Sequence, residues 1–92
     1  TIVWARRVTW YKRPDLLIRD FDRFLNLVNN KKYPLQIIWA GKPYPEDYGS
    51  IDLFNKIVGL TNELPNCSIL TGYEISLSAT LKKGADVWLN TP

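Results

Sequence analysis

The chain has 92 residues, 46% of them hydrophobic, a formal charge of +3, one Cys and no His. That length makes one small domain and leaves no room for a two-domain active site, and the absent His and lone Cys exclude a zinc site and an intrachain disulfide framework. No apolar run approaches the length that spans a membrane, and nothing resembles a signal peptide.

Ile2 to Val8 opens with apolar, β-favouring residues and reads as a strand that runs into a group of cations. From Pro14, a residue suited to the first turn of a helix, Leu17, Phe21, Phe24, Leu25 and Val28 recur at three- and four-residue steps. This spacing predicts an amphipathic helix ending near Asn29-Asn30. Leu35 to Ala40 is a nearly continuous apolar run, as expected of a strand covered on both faces, and Gly41 closes it. Residues 41–50, GKPYPEDYGS, carry two Pro and two Gly and read as a loop. Ser50 reads as the N-cap of a second helix with Leu53, Phe54, Ile57, Val58 and Thr61 on one side, ended by Leu64-Pro65-Asn66. Cys67 to Leu70 is a third apolar run, broken by Thr71-Gly72. The stretch YEISLSATLKKG alternates as a half-buried strand would. Yet Ile75 and Ala79, and Leu77 and Leu81, stand four apart, Lys82 and Lys83 complement a helix C-terminus, and Gly84 sits where a residue just past the helix belongs. Helix is therefore the favoured reading. Asp86 to Asn90 is a final strand.

The order β-α-β-α-β-α-β, with short apolar strands and short connections, predicts an α/β fold: a Rossmann-like parallel sheet with helices on both faces, in a single domain over residues 1–92. The chain starts and stops in apolar runs with neither an initiating Met nor a polar tail, which reads as a segment of a longer protein.

In such a sheet, ligands bind beyond the carboxyl ends of the strands. Arg6, Arg7, Lys12 and Arg13 give the first 13 residues +4 with no carboxylate among them; the total of +3 leaves −1 for the rest. Arg6 and Arg7 end the first strand, Lys12 and Arg13 lead into the next helix, Gly41-Lys42 follows the second strand, and Gly72-Tyr73 follows the third. All of these fall at one edge of the sheet. Nucleic-acid binders spread their cations over a face, whereas one cluster at one loop suits a small phosphorylated ligand. The guanidinium fork, the lysine point charge and free N–H groups at helix N-termini all favour an anion there.

Taken singly, each Arg or Lys has the plain reading of a solvated surface residue. Four together without an acid, at the ligand edge, favour an anion site. Tyr73 reads equally as a residue packing on a loop. Trp4, Trp39 and Trp88 fall in strands and read as packing residues, with Trp10, in the basic loop, the exception. Asp86, placed just before a strand, reads as structural, and Glu46-Asp47 as solvated turn residues. No His-based triad, P-loop or GxGxxG is present. Asn66-Cys67-Ser68 matches a glycosylation acceptor by chance alone.

Read in order, ARRVTWYKR, IIWAGKPYPED and LTGYEISLSATLKKGADVWLNTP resemble the C-terminal half of the α-glucan phosphorylases, the pyridoxal-phosphate-dependent glycosyltransferases of glycogen, starch and maltodextrin breakdown. The resemblance runs from about Val3 to Pro92, and its DVWLN close is similar to the shorter bacterial and archaeal branch. It implies part of the second Rossmann-like domain of a GT-B enzyme. The implied reaction is attack of orthophosphate on a terminal α-1,4-linked glucose to give glucose 1-phosphate. Carried over by motif, Arg7 contacts the substrate phosphate, Lys12 lies between substrate and cofactor phosphates, Arg6 faces the cofactor phosphate, and Tyr73 lies close to the cofactor. Arg7 and Lys12 are the implied catalytic residues; Gly41, Lys42 and Gly72 line the ligand edge.

Two departures stand out. Thr71 occupies a position commonly Glu in the family, and the segment with the Schiff-base lysine would begin after Pro92; Lys82 and Lys83 are not at that motif. The resemblance thus implies a segment that folds but is catalytically inert alone, from a cytoplasmic enzyme of a family in which homodimers are common, with no nucleic-acid or membrane partner. Two alternatives stand beside it. One is the sugar-nucleotide-binding domain of a GT-B glycosyltransferase such as glycogen or starch synthase. The other is a non-catalytic binding module.

Overall fold

The computed structural model describes residues 1–72 and 75–91. Tyr73, one of the residues singled out above, lies outside them. Strands β1 (Ile2–Ala5), β2 (Ile37–Ala40), β3 (Cys67–Leu70) and β4 (Val87–Trp88) alternate with helices α1 (Phe21–Val28), α2 (Tyr48–Thr61) and α3 (Ile75–Gly84). The strands form one four-stranded sheet in the order β3-β2-β1-β4. Every pairing is parallel: Trp4 lies opposite Trp39 and Trp39 opposite Ile69, while Val3 lies opposite Trp88. The chain is thus an α/β unit of the expected class.

Period-2 side-chain alternation divides each central strand between two cores. On one face, Trp4, Ile37 and Trp39 pack with Phe24 and Val28 of α1 and Ile57 of α2. On the other, Val3, Ala5 and Ala40 meet Leu81 of α3, with Leu77, Leu70 and Ile38 around them. Both faces of β1 and β2 are therefore covered, which explains why these strands read as unbroken apolar runs. Between β3 and β4 the chain changes faces, so β1 and β4 flank the point from which successive connections run in opposite directions.

Several boundaries differ from the sequence reading, each for a local reason. The strand expected over Ile2 to Val8 ends at Ala5. Its backbone nevertheless keeps company with the exit of β2, because the Arg6 N–H donates to the Ala40 carbonyl (3.1 Å) and the Val8 N–H to the Lys42 carbonyl (3.3 Å). The helix expected from Pro14 is split. Leu16–Ile18 form a short 3₁₀ turn, and α1 starts only at Phe21, where the Asp20 carboxylate accepts from the Arg23 N–H (3.3 Å). Asp20 offers a cap in the middle of the periodic run, and the apolar spacing continues across the break.

The N-cap of α2 is Asp47, not Ser50. Its carboxylate accepts from the Ser50 N–H (3.2 Å) and hydroxyl (2.7 Å), and Ser50 is fully buried in the first turn. Gly84 is the last residue of α3 instead of the first beyond it, and the Ala85 N–H closes the helix on the Leu81 carbonyl (2.9 Å). The final strand is shorter than Asp86 to Asn90, although the Leu89 N–H adds a bond to the Val3 carbonyl at 2.7 Å.

Phe24 is 1% exposed, with its ring 6.2 Å from that of Trp39. Phe24→Ala should destabilise the chain by about 3–5 kcal/mol, as a large aromatic lost from a close-packed core does. Urea unfolding followed by tryptophan fluorescence measures it; a loss below about 1 kcal/mol would mean that α1 is not seated on the sheet as described.

Candidate functional site

Beyond the carboxyl ends of β1, β2 and β3 lies a pocket of about 380 Å³ lined by Arg6, Arg7, Lys12, Gly41, Lys42 and Thr71. The fold brings these residues together through the parallel exits of the strands. Arg6 and Arg7 leave β1 directly. The loop is then pinned by buried Val8 and Thr9, and by the Trp10 N–H, which donates to the buried Ser50 hydroxyl at 3.0 Å. A tight 3₁₀ turn over Trp10–Lys12 follows, its first bond running from the Lys12 N–H to the Thr9 carbonyl at 3.1 Å. This turn carries Lys12 back to the pocket.

Gly41 sets how closely the walls approach. It has φ +141°, and a Cβ there would lie 2.0 Å from the Arg6 carbonyl oxygen. Only glycine fits both conditions. Its own N–H donates to the Leu70 carbonyl (2.9 Å), so the exits of β1, β2 and β3 are joined at one residue.

Among the described residues none of the four lining cations has a carboxylate partner; the two ion pairs, Arg19 with Asp15 and the Thr1 amino group with Asp86, involve other groups. Neutral groups position the arginines instead. Arg6 Nη1 donates to Asn90 Oδ1 at 2.9 Å, and the Arg7 guanidinium lies 4.2 Å from the centroid of the Tyr44 ring. Stacking on an aromatic face leaves the N–H edges of the fork available to an oxyanion. Positive charge and fork-shaped donors, with no acidic side chain lining the pocket among the described residues, suit an oxyanion.

Of the residues singled out in the sequence, Arg6, Arg7, Lys12, Gly41 and Lys42 line one pocket. Arg13 and Gly72 do not line it, and Tyr73 lies outside the described residues. The expectation that the helix after the cations would point its N-terminus at the site is corrected. Two 3₁₀ turns intervene, and Asp20 caps α1 with a carboxylate of its own. Asp47, expected to be a solvated turn residue, instead caps α2. Asp86 lies at the amino end of β4, away from the pocket, with its carboxylate 2.6 Å from the Thr1 nitrogen. Half-buried Cys67 has its thiol pushed up by burial, which disfavours the reactive thiolate.

Thr71, Tyr44 and Asn90 took no part in the predicted site. Aromatic and amide residues in loops carry no charge signal, and only the fold shows which cation each one meets.

A second cavity of about 380 Å³ beside α1 is largely apolar, lined by Leu16, Leu17, Phe24, Leu27 and Leu89 with Asp20 and Arg23 at its margin. Among the described residues no cluster of His, Cys, Asp or Glu could hold a metal ion, and no helix is long and apolar enough to cross a membrane.

No protein-family model and no solved structure matches the chain. Curated proteins do. A glycogen phosphorylase of Aquifex aeolicus is 36% identical over 95 residues, taking in 100% of this chain and 14% of that protein. The chain is similar, end to end, to a segment of the α-glucan phosphorylases. A maltodextrin phosphorylase of Thermococcus litoralis is 33% identical over 94 residues, 99% of this chain and 11% of that enzyme. An uncharacterised protein of Methanocaldococcus jannaschii is 53% identical over all 92 residues, which make up 17% of its length. The chain thus spans a small part of each phosphorylase it matches.

Gly41→Ala places a methyl group against the Arg6 carbonyl at a backbone angle that side chains avoid. It should cost about 2–4 kcal/mol and shift the amide resonances of Arg6 and Lys42. Urea unfolding and NMR check both, and unchanged stability would show that the exits of β1 and β2 are farther apart than described.

Proposed function

We propose that this chain is part of an α-glucan phosphorylase and supplies one wall of its phosphate site, as one Rossmann-like unit within the C-terminal domain of a GT-B enzyme. The observation that carries the proposal is the pocket itself: Arg6, Arg7, Lys12 and Lys42 line one surface and, among the described residues, none of them pairs with a carboxylate. Similarity to phosphorylases over the whole chain supports phosphate groups as the anions. The whole protein would be a cytoplasmic glycosyltransferase releasing glucose 1-phosphate from α-1,4-glucan with orthophosphate.

In this reading Arg7 binds the substrate phosphate. Its guanidinium, placed over the Tyr44 ring, would offer two N–H groups to two phosphate oxygens. Lys12 would stand between the substrate phosphate and the phosphate of pyridoxal phosphate, offsetting the repulsion of two anions brought close together. Arg6, tethered by Asn90, faces the cofactor phosphate, with Tyr73 as a further cofactor-side residue and Gly72 at the ligand edge. Lys42 completes the positive wall, and Gly41 lets the backbone come near the ligand.

The residues present fit the cofactor's phosphate, since the donors are cationic or neutral and none of the lining residues is acidic. When bound, the cofactor supplies its 5′-phosphate as the proton-exchanging group beside the substrate phosphate. The chain's own contribution is to fix the oxygens of orthophosphate so that one of them faces the glucose C1, and to stabilise charge as the C1–O bond to the glucan breaks. Preorganised donors of this kind strengthen as charge develops and need no reorganisation.

Titration of the 92-residue chain with orthophosphate, pyridoxal phosphate and ADP-glucose, followed by amide NMR, tests the site. Shifts confined to Arg6, Arg7, Lys12 and Lys42, with phosphate alone sufficient and weakening at high salt, are expected. A response to ADP-glucose alone would favour the sugar-nucleotide enzyme, and shifts scattered over every Lys would overturn the pocket. In the whole enzyme, Arg7→Ala should lower kcat/KM for phosphorolysis by about a hundredfold or more; an undiminished rate would remove Arg7 from the site.

A further inference from the structure

We infer that Thr91 is a positioning residue for the cationic loop: its hydroxyl grips the Lys12 backbone and so fixes where Lys12 meets a phosphate. The functional half of this inference rests on the phosphate reading above, whereas the structural half stands without it.

Thr91 follows β4 and is 4% exposed. Its Oγ1 accepts from the Trp4 indole N–H at 2.8 Å and donates to the Lys12 carbonyl at 2.5 Å. A hydroxyl has one proton, and here the indole can only donate and the carbonyl can only accept. Both directions are therefore fixed and no alternative orientation satisfies all three groups. Trp4 is a core residue of β1, so the Lys12 backbone is tied through one buried oxygen to the buried core of the sheet.

The grip falls at a telling place. Lys12 ends the 3₁₀ turn, and Arg13 follows with φ 48° and ψ 57°, the one left-handed non-glycine residue among those described. The carbonyl that Thr91 holds belongs to the peptide joining these two residues. Relaxation of Arg13 to ordinary negative φ would swing that peptide and carry Lys12 with it. The hydrogen bond from Thr91 opposes this swing, and Asn90 beside it holds Arg6 by the side chain at 2.9 Å. Two successive residues leaving β4 thus hold two cations that leave β1, one through backbone and one through side chain. β1 and β4 are sheet neighbours at the place where the connections diverge, which in open parallel sheets is where ligands bind.

The test compares Thr91→Val, Thr91→Ser and Trp4→Phe in the 92-residue chain, with the Arg13 Cα and Lys12 carbonyl shifts and orthophosphate affinity as readouts. Thr91→Val should move the Arg13 shift out of the left-handed range and weaken orthophosphate binding about three- to tenfold, as loss of one buried hydrogen bond implies. Thr91→Ser should restore both. Trp4→Phe leaves the Thr91 hydroxyl able to donate to the Lys12 carbonyl and should shift Arg13 less than Thr91→Val does; an equal or larger shift would mean that the Lys12 contact does not depend on Thr91, and the inference fails. Unchanged Lys12 and Arg13 shifts in Thr91→Val would also overturn it, whatever the affinity. Altered shifts with no orthophosphate binding even in the unsubstituted chain would sink the phosphate reading and leave the positioning role standing. Should Thr91→Val not fold, the unsubstituted chain decides: a Thr91 hydroxyl proton protected from exchange supports the grip, and one exchanging as fast as an exposed threonine refutes it.

Discussion

The approach of the β1 exit to the β2 exit is the constraint on which the rest of the site depends. A carbonyl oxygen of Arg6 occupies the space that any side chain on residue 41 would need, and Gly41 in turn bonds to the end of β3. Parallel strands diverge where their connections peel away toward the helices. Here a single glycine holds three of them together one residue past the ladder, and the charges are placed on that narrowed rim. If the exits were farther apart, Arg6, Arg7 and Lys42 would be isolated surface residues.

The cations are positioned by groups without charge. A carboxylate would hold an arginine as firmly as Asn90 or Tyr44 does, but it would also cancel the field that attracts an anion and lower the gain on binding. An amide, a phenol ring and a threonine hydroxyl orient the cationic residues and, among the described residues, leave their charge uncompensated. The cost is mutual repulsion among like charges, and it is moderated because Arg7 is exposed and Lys12 and Arg6 are only partly buried.

Much of this was legible in the sequence because the signals were local or periodic. Alternating strands and helices, the unbroken apolar runs of β1 and β2, and Arg6, Arg7 and Lys12 at a strand exit led to a parallel sheet and to one edge of it. The errors arose where a competing local interaction left the pattern unchanged. Asp20 ends one apolar period and begins another without disturbing the spacing of Leu17, Phe21 and Phe24, and Asp47 caps α2 from within what reads as a loop. Contacts across the fold left no trace at all. Nothing in the residue identities of Thr91 or Asn90 announces that they lie against Lys12 and Arg6, since sequence separations of 79 and 84 residues are bridged only once β4 pairs with β1.

β4 pairs with β1 on one side only, and its Val87 and Trp88 are 49% and 38% exposed, with the Lys82 ammonium 5.7 Å from the Trp88 ring. Among the described residues no strand pairs with its other side, which makes β4 an edge. Any strand that zipped onto this edge would stiffen the two residues leading out of it, and these are the residues that steady Arg6 and Lys12. Extending the sheet and rigidifying the cationic rim would then be one and the same event.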